Sequence, residues 1–320
     1  MTKKILIITG DPNSINSEII FKSWKKLSLS IKKKIIFISN LKLLQKQFKK
    51  LGYKINIEQL KDINTVKKNN NLRVINIKLN FKNPFKVNRN QASNYVRDSL
   101  NLAHSLALNK KNIKGIINCP IDKKLLKKEK IGVTEYLAKK CKLKNKEVMI
   151  IRNEKLAVCP ITTHIDIKQI SKRIKSKMII EKVMIINDWF KKKLNRNPKI
   201  SLLGLNPHNA EFRKNSEENK IILPAISYLK KNKVKVSGPH ASDTIFMNDF
   251  RNYDVIVGMY HDQVLSPFKT LFKFDAINLT LGLKYLRVSP DHGVAIELIG
   301  KKVANETSLL KCINFIDKYK

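Results

Sequence analysis

Three of the six histidines stand at matching places along the chain. His164 ends the run Pro160-Ile161-Thr162-Thr163-His164, a few residues after the apolar stretch Leu156–Cys159. His208 ends Gly204-Leu205-Asn206-Pro207-His208, after Ile200–Gly204, and His261 lies in Met259-Tyr260-His261-Asp262-Gln263, after Val255–Met259. If each apolar run is a strand of one parallel sheet, the three imidazoles emerge at the same end. Three converging neutral imidazoles are a common ligand set for zinc and related divalent cations, and they leave positions open for substrate oxygens. The cation then acts as a Lewis acid. Taken singly, each is an ordinary loop histidine bonded to backbone. Their equivalent positions favour the shared site, although no interval is as tight as that of HExxH.

The other histidines divide differently. His292, in Ser289-Pro290-Asp291-His292-Gly293, suits a ligand or cofactor contact, or alternatively the cap of a following helix. His104 sits inside a helical pattern, on the face of Leu100 and Leu108, and reads as a packed side chain. Two cations stand out by context. Lys269 and Arg287 flank Asn278, and all three have apolar neighbours. Lysine and arginine beside a ligand would hold an anion, with arginine able to grip phosphate or carboxylate through two parallel bonds. One lysine among so many is weak evidence. Arginine is scarce here, with nine among 65 basic residues, so Arg287 carries more weight.

These residues need a scaffold, and the pattern supplies one. Apolar runs of strand length at Lys4–Thr9, Lys34–Ser39, Val74–Ile77, Lys114–Asn118, Val148–Ile151, Leu156–Cys159, Ile200–Gly204, Val255–Met259 and Ala276–Leu281 alternate with helical stripes. The stripes cover Ser17–Leu27, Leu41–Leu51, Gln91–Leu108, Thr134–Cys141, Asp166–Ile174, Lys177–Leu194, Glu217–Leu229 and Thr307–Tyr319. Alternation with short polar turns predicts an α/β protein with a largely parallel sheet, whose ligands sit beyond the carboxyl ends of the strands. Asp62–Asn71 is the most loop-like stretch, and no repeat or Pro/Gly/Ser-rich linker marks a boundary.

Composition excludes several classes. The 320 residues, 42% hydrophobic, suffice for one large domain or two joined ones and are too apolar for disorder. No apolar run approaches the roughly 20 residues of a membrane span, and Ile5–Ile8 is too short for a signal core, so a cytoplasmic location is expected. Cys119, Cys141, Cys159 and Cys312 form no CxxC pair and read as buried thiols. The net charge of +40 invites a nucleic-acid reading. The lysines are spread over the whole chain, however, and rise together with Asn and Ile. That suits a solvated basic surface with weak, salt-sensitive polyanion binding rather than a specific nucleic-acid face. GxGxxG, GxxxxGK[ST] and GxSxG are all absent.

Taken in order, the motifs resemble the PdxA family, the 4-hydroxythreonine-4-phosphate dehydrogenases of vitamin B6 biosynthesis. Ile8-Thr9-Gly10-Asp11-Pro12 with Ser17-Glu18-Ile19 is similar to its opening turn. Cys119-Pro120-Ile121-Asp122-Lys123 and Gly132-Val133-Thr134-Glu135-Tyr136-Leu137 are similar to its central motifs. Thr162-Thr163-His164, the Gly204–His208 run, Gly238-Pro239 with Ser242-Asp243-Thr244-Ile245-Phe246, and Met259–Gln263 follow in order. Asn278–Leu283, Arg287 and Asp291-His292-Gly293 complete the series.

The resemblance implies two α/β/α domains around a cleft, of the isocitrate and isopropylmalate dehydrogenase type. The expected limits are 1–125 with 280–320 for the dinucleotide-side domain, and 126–279 for the domain bearing the histidines. It implies a homodimer with a shared active site, and a divalent metal (Zn, Mg or Co) on His164, His208 and His261. Substrate contacts fall on Thr134, Lys269, Asn278 and Arg287, catalytic roles on Asp243 and Lys269, and NAD or NADP contacts on His292 and Gly293. The implied reaction is NAD-dependent oxidation of 4-phosphooxy-L-threonine at its C3 hydroxyl, then loss of carbon dioxide to give 3-amino-2-oxopropyl phosphate. An inactive scaffold that binds polyanions, or a relative acting on another phosphorylated or acidic hydroxy acid, is the competing reading. Three departures stand out. Val133 replaces the family's histidine, Asn209–Lys214 lacks the family's glycines, and Ser14 and Asn16 replace two glycines of the opening turn.

Overall fold

The computed structural model describes residues 3–319 except 62, 64–69, 130, 131, 144–146 and 248. The loop expected over Asp62–Asn71 therefore lies largely outside the described residues. The strands, in chain order, are β1 (Lys4–Ile8), β2 (Ile35–Ser39), β3 (Ile57–Gln59), β4 (Leu72–Asn76), β5 (Ile113–Asn118), β6 (Val148–Arg152), β7 (Ala157–Pro160), β8 (Ile200–Leu203), β9 (Val236–His240), β10 (Val255–Gly258), β11 (Ile277–Leu281) and β12 (Arg287–Pro290). The α-helices are α1 (Asn16–Lys26), α2 (Leu29–Lys32), α3 (Leu41–Leu51), α4 (Arg89–Asn109), α5 (Val133–Lys140), α6 (Ile170–Arg173), α7 (Ser176–Leu194), α8 (Leu223–Lys231), α9 (His261–Phe272) and α10 (Thr307–Lys318).

The chain forms two compact units, residues 1–144 with 283–319, and residues 145–282. The first takes in α5, which the sequence reading placed in the other domain. Tyr136 and Leu137 of α5 are buried in the cluster that holds Tyr95, Val96 and Leu100 of α4, and the Tyr136 hydroxyl donates to Asn101 Oδ1 at 2.7 Å. That packing fixes α5 to the first unit.

In the first unit the strand order is β3-β4-β2-β1-β5-β12, and every pairing is parallel. Both faces of β1 and β2 are covered, which is why Ile5–Ile8 and Ile35–Ile38 run as continuous apolar residues rather than alternating. A fully buried Ile or Leu is worth about 1.5–3 kcal/mol, so these strands anchor the unit. The polypeptide leaves β1 through Gly10 at φ +76°, where a Cβ would stand 2.5 Å from Pro120 O. Only glycine fits that approach.

In the second unit the order is β11-β6-β7-β10-β8-β9. β7, β10, β8 and β9 are parallel neighbours, while β6 runs antiparallel to both β7 and β11. The alternation therefore predicts most of the sheet correctly, with β6 as the reversed strand. β3, β9, β12, α2 and α9 are additions to the sequence reading. The helix expected over Glu217–Leu229 opens with one π-helical turn, Glu218–Ile222, before α8. No helix among the described residues is long and apolar enough to cross a membrane. All four cysteines are free and buried.

Candidate functional site

The second unit carries the three histidines at the carboxyl ends of parallel strands, as their spacing predicts. His164 follows β7, His208 follows β8 and His261 opens α9 directly after β10. Two of the three loops are stitched together by backbone. Ile161 N–H donates to Gly258 O at 2.8 Å, and Thr162 donates to Met259 O through both N–H (3.1 Å) and Oγ1 (2.7 Å). Gln263 of the His261 motif reaches the third loop. Its Oε1 accepts from Met259 N at 2.6 Å, and its Nε2 donates to Gly204 O at 2.6 Å. Gly258 makes room for this, because a Cβ there would meet Gln263 Oε1 at 2.8 Å and Val264 Cγ1 at 2.6 Å.

The result is a histidine pair. The His164 and His261 rings lie 5.7 Å apart between centroids. His261 Nδ1 is 2.7 Å from Asp262 Oδ1, and a proton held there leaves the ring's lone pair on Nε2, the form that can ligate a metal. Among the described residues, no three His, Cys, Asp or Glu side chains gather closely enough to hold a metal ion. His208, Asn209, Ala210, Glu211 and Phe212 all have φ between 49° and 56°, one left-handed turn of five non-glycine residues. Each such residue costs about 1–2 kcal/mol relative to right-handed backbone. Imidazoles are common ligands of divalent cations, and among the described residues no third candidate ligand gathers with this pair.

The residues just before the left-handed turn are held by a carboxylate that sequence reasoning missed. Glu218, fully buried, accepts from Leu205 N at 2.8 Å and Asn206 N at 2.9 Å, and its other oxygen accepts from Asn206 Nδ2 at 3.1 Å. Burial alone would raise its pKa. The bonds from Asn206 and Leu205 outweigh that and hold the carboxyl below its ordinary range. Asn206 Nδ2 also donates to Glu217 Oε2 at 2.9 Å. The signal was present, since two adjacent acids are conspicuous where acids are few, but their distance in sequence from His208 hid the link.

The other expected residues of this unit are scattered over three elements. Asn278 lies on β11, and its side-chain oxygen is buried with no hydrogen-bond partner, a lone pair still to be satisfied. Lys269 is exposed on α9, and Asp243 is exposed in the turn after β9.

The first unit holds a buried guanidinium. Arg287 at the start of β12 is 3% exposed. Its Nε donates to Asn118 Oδ1 at 2.7 Å, at the end of β5, and its Nη1 donates to Thr134 Oγ1 at 3.2 Å, in the first turn of α5. Burial lowers the guanidinium to about 10, which leaves it charged at neutral pH. A fixed buried cation beside a hydroxyl and a helix N-terminus is suited to a phosphate or carboxylate. Val133, next to Thr134, packs against the apolar cluster instead of adding a polar group.

The segment after β12 carries the expected dinucleotide residues. His292 Nδ1 lies 3.0 Å from Gly293 O. A Cβ at Gly293 or Gly300 would meet nothing within 4 Å, so open space adjoins both. Ile296 and Val303 expose 54% and 64% of their surface.

The sequence profile of the PdxA family, described as pyridoxal phosphate biosynthetic proteins, matches residues 31–316. A 4-hydroxythreonine-4-phosphate dehydrogenase of Sulfurihydrogenibium is 36% identical over 97% of this chain and 96% of its own length. A putative D-threonate 4-phosphate dehydrogenase of Oceanobacillus iheyensis is 32% identical over 98% of this chain and 97% of its own. The crystal structure of a 4-hydroxythreonine-4-phosphate dehydrogenase from Klebsiella pneumoniae superposes with a TM-score of 0.84 at 27% identity, covering 99% of both chains. With a profile spanning most of its length and relatives alike from end to end, the chain belongs to the PdxA family.

Proposed function

We propose that the chain oxidises 4-phosphooxy-L-threonine at its C3 hydroxyl with NAD or NADP and a divalent cation, and that the 3-keto acid then loses carbon dioxide to give 3-amino-2-oxopropyl phosphate. The observation that carries this reading is Arg287, a buried guanidinium fixed by Asn118 with the Thr134 hydroxyl beside it. An anionic substrate accounts for the cost of burying that charge. Arg287 and Thr134 hold one anionic group of the substrate. Asn278 offers its unsatisfied oxygen to a substrate N–H or O–H donor. Lys269, exposed on α9, offsets further negative charge and can pass a proton to the carbon left by decarboxylation. Asp243 is the carboxylate proposed to take the hydroxyl proton.

His164 and His261 would hold the divalent cation, which supplies Lewis acidity toward the substrate oxygens. A homodimer with a shared site would let a second copy of the chain complete the ligand set. His292 and Gly293 would border the dinucleotide, which accepts the hydride.

A second reading rests on Val133. Its place in an apolar cluster removes a polar contact, which favours a substrate whose polar groups differ from those of the phosphorylated amino acid. D-threonate 4-phosphate, named for the Oceanobacillus relative, is such a compound, with an uncharged hydroxyl at C2 in place of the amino group. The deciding experiment follows dinucleotide reduction with 4-phosphooxy-L-threonine and with D-threonate 4-phosphate, each with and without added Mg, Zn or Co. Metal-dependent turnover with the first at the higher kcat/KM is expected. Preference for the second would move the assignment to the sister activity. No reduction with either would defeat both.

A further inference from the structure

The segment 291–306 joins β12 to α10 and contains both expected dinucleotide contacts. Its own backbone does little to fix it. It holds only one short 3-10 turn, Ile296–Leu298, and three positive-φ residues, Ala295, Gly300 and Lys302. Helix α1 of the same unit holds it from outside. At the near end, Ile15 N–H, just before α1, donates to Val294 O at 3.2 Å. At the far end, Glu18 Oε1 accepts from Ala304 N at 2.8 Å. Lys22, one helical turn further, donates to Lys302 O at 2.9 Å and to Ala304 O at 2.8 Å. Lys22 Nζ also pairs with Glu18 Oε1 at 2.8 Å, and Lys26 pairs with Glu306. Glu18 is 1% exposed and Ala304 2%, so these bonds are shielded from water at their centre.

The arrangement is specific. A carboxylate and an ammonium four residues apart on one helix face neutralise each other. Between them they bond one N–H and two C=O groups of a segment some 280 residues away. Charge-assisted bonds of this kind are about twice as strong as neutral ones, which makes the pair an economical way to fix an irregular backbone. A loop that closes over a ligand loses less conformational freedom on binding when it is already held in its bound shape.

We infer that Glu18 and Lys22 form a clamp that pre-sets segment 291–306 for dinucleotide binding. They are positioning residues, acting through the segment and not on the reacting atoms. The inference rests on the dinucleotide reading above, with the clamp itself testable without it. Lys22 is the better probe, because it is partly exposed and its removal leaves the Glu18–Ala304 bond in place.

In Lys22→Met, amide hydrogen exchange at residues 294–304 of the full chain should speed up roughly tenfold or more while exchange in β1 and β5 stays put. The dissociation constant of NAD, measured by calorimetry, should rise by roughly tenfold, with the Michaelis constant of the phosphorylated substrate within about twofold of the parent. Lys22→Arg, which keeps the charge and the reach, should restore most of the affinity. Unchanged exchange in 294–304 overturns the clamp. Faster exchange with NAD affinity unchanged overturns its role in binding. If the parent chain itself binds neither NAD nor NADP, the dinucleotide reading falls first, and that result is distinct from either of the others.

Discussion

At the scale of the residue, the useful question is why position 287 is arginine in a chain that otherwise uses lysine. Lysine there would keep the charge and lose the fork, because its three donors sit on one nitrogen, whereas Arg287 reaches Asn118 and Thr134 from separate nitrogens of one plane. Arg287→Lys is expected to raise the Michaelis constant for the phosphorylated substrate by roughly 10- to 100-fold. NAD affinity should stay unchanged. Steady-state kinetics with the two ligands varied separately checks this, and an equal loss for both would point to misfolding of β12. Arg287 was legible in the sequence because arginine is rare and its neighbours are apolar. Its partners were not legible. Asn118 and Thr134 lie 169 and 153 residues away, and only the parallel pairing of β12 on β5 brings them within reach. The same holds for Gln263, whose neighbour His261 drew attention while its own role as the stitch between loops depends on Gly204, 59 residues earlier.

At the scale of the element, the strands and long helices were read from their periodicity, because both faces of a parallel sheet are covered and produce unbroken apolar runs. Elements without that signal escaped. β9 contains Gly238 and Pro239, and β12 begins with arginine and ends with proline, so neither looks like a strand. Helix α9 has Pro267 inside it and polar residues in its first turn. The π-turn at Glu218–Ile222 likewise leaves no local mark. Its first residue, Glu218, nonetheless holds Leu205 and Asn206, just before the turn that carries His208. Glu218→Gln puts an N–H₂ where a carboxylate oxygen now accepts from Asn206, and should cost about 1–3 kcal/mol at neutral pH. Because the folded pKa of Glu218 is lowered from 4.5, its contribution is complete above that value and fades as pH falls through it. Urea unfolding of the two proteins should therefore differ at pH 7 and converge in acid. A gap independent of pH would mean that the carboxylate charge plays no part.

At the scale of the whole molecule, the charge of +40 is carried almost wholly outside the core. Lys32, Arg73 and Arg287 are the cations buried among the described residues, against 65 basic residues in all. Each unit closes around aliphatic strands, which leaves nearly all of the lysines outside the buried core. The four thiols show the opposite distribution. Cys119, Cys141 and Cys312 belong to the first unit and Cys159 to the second, all of them buried. Burial raises the Cys119 and Cys312 thiols far above their ordinary range and Cys159 to about 11. Only a thiolate reacts readily with an alkylating reagent, so in the closed protein these sulfurs are protected by both sterics and protonation. Each unit thus carries its own internal clock. Under mild denaturant, iodoacetamide resolved by peptide mass spectrometry should mark Cys119 and Cys312 at one common rate and Cys159 at another, reporting how often each half of the chain opens by itself. A single rate for all four would mean that the halves never open apart.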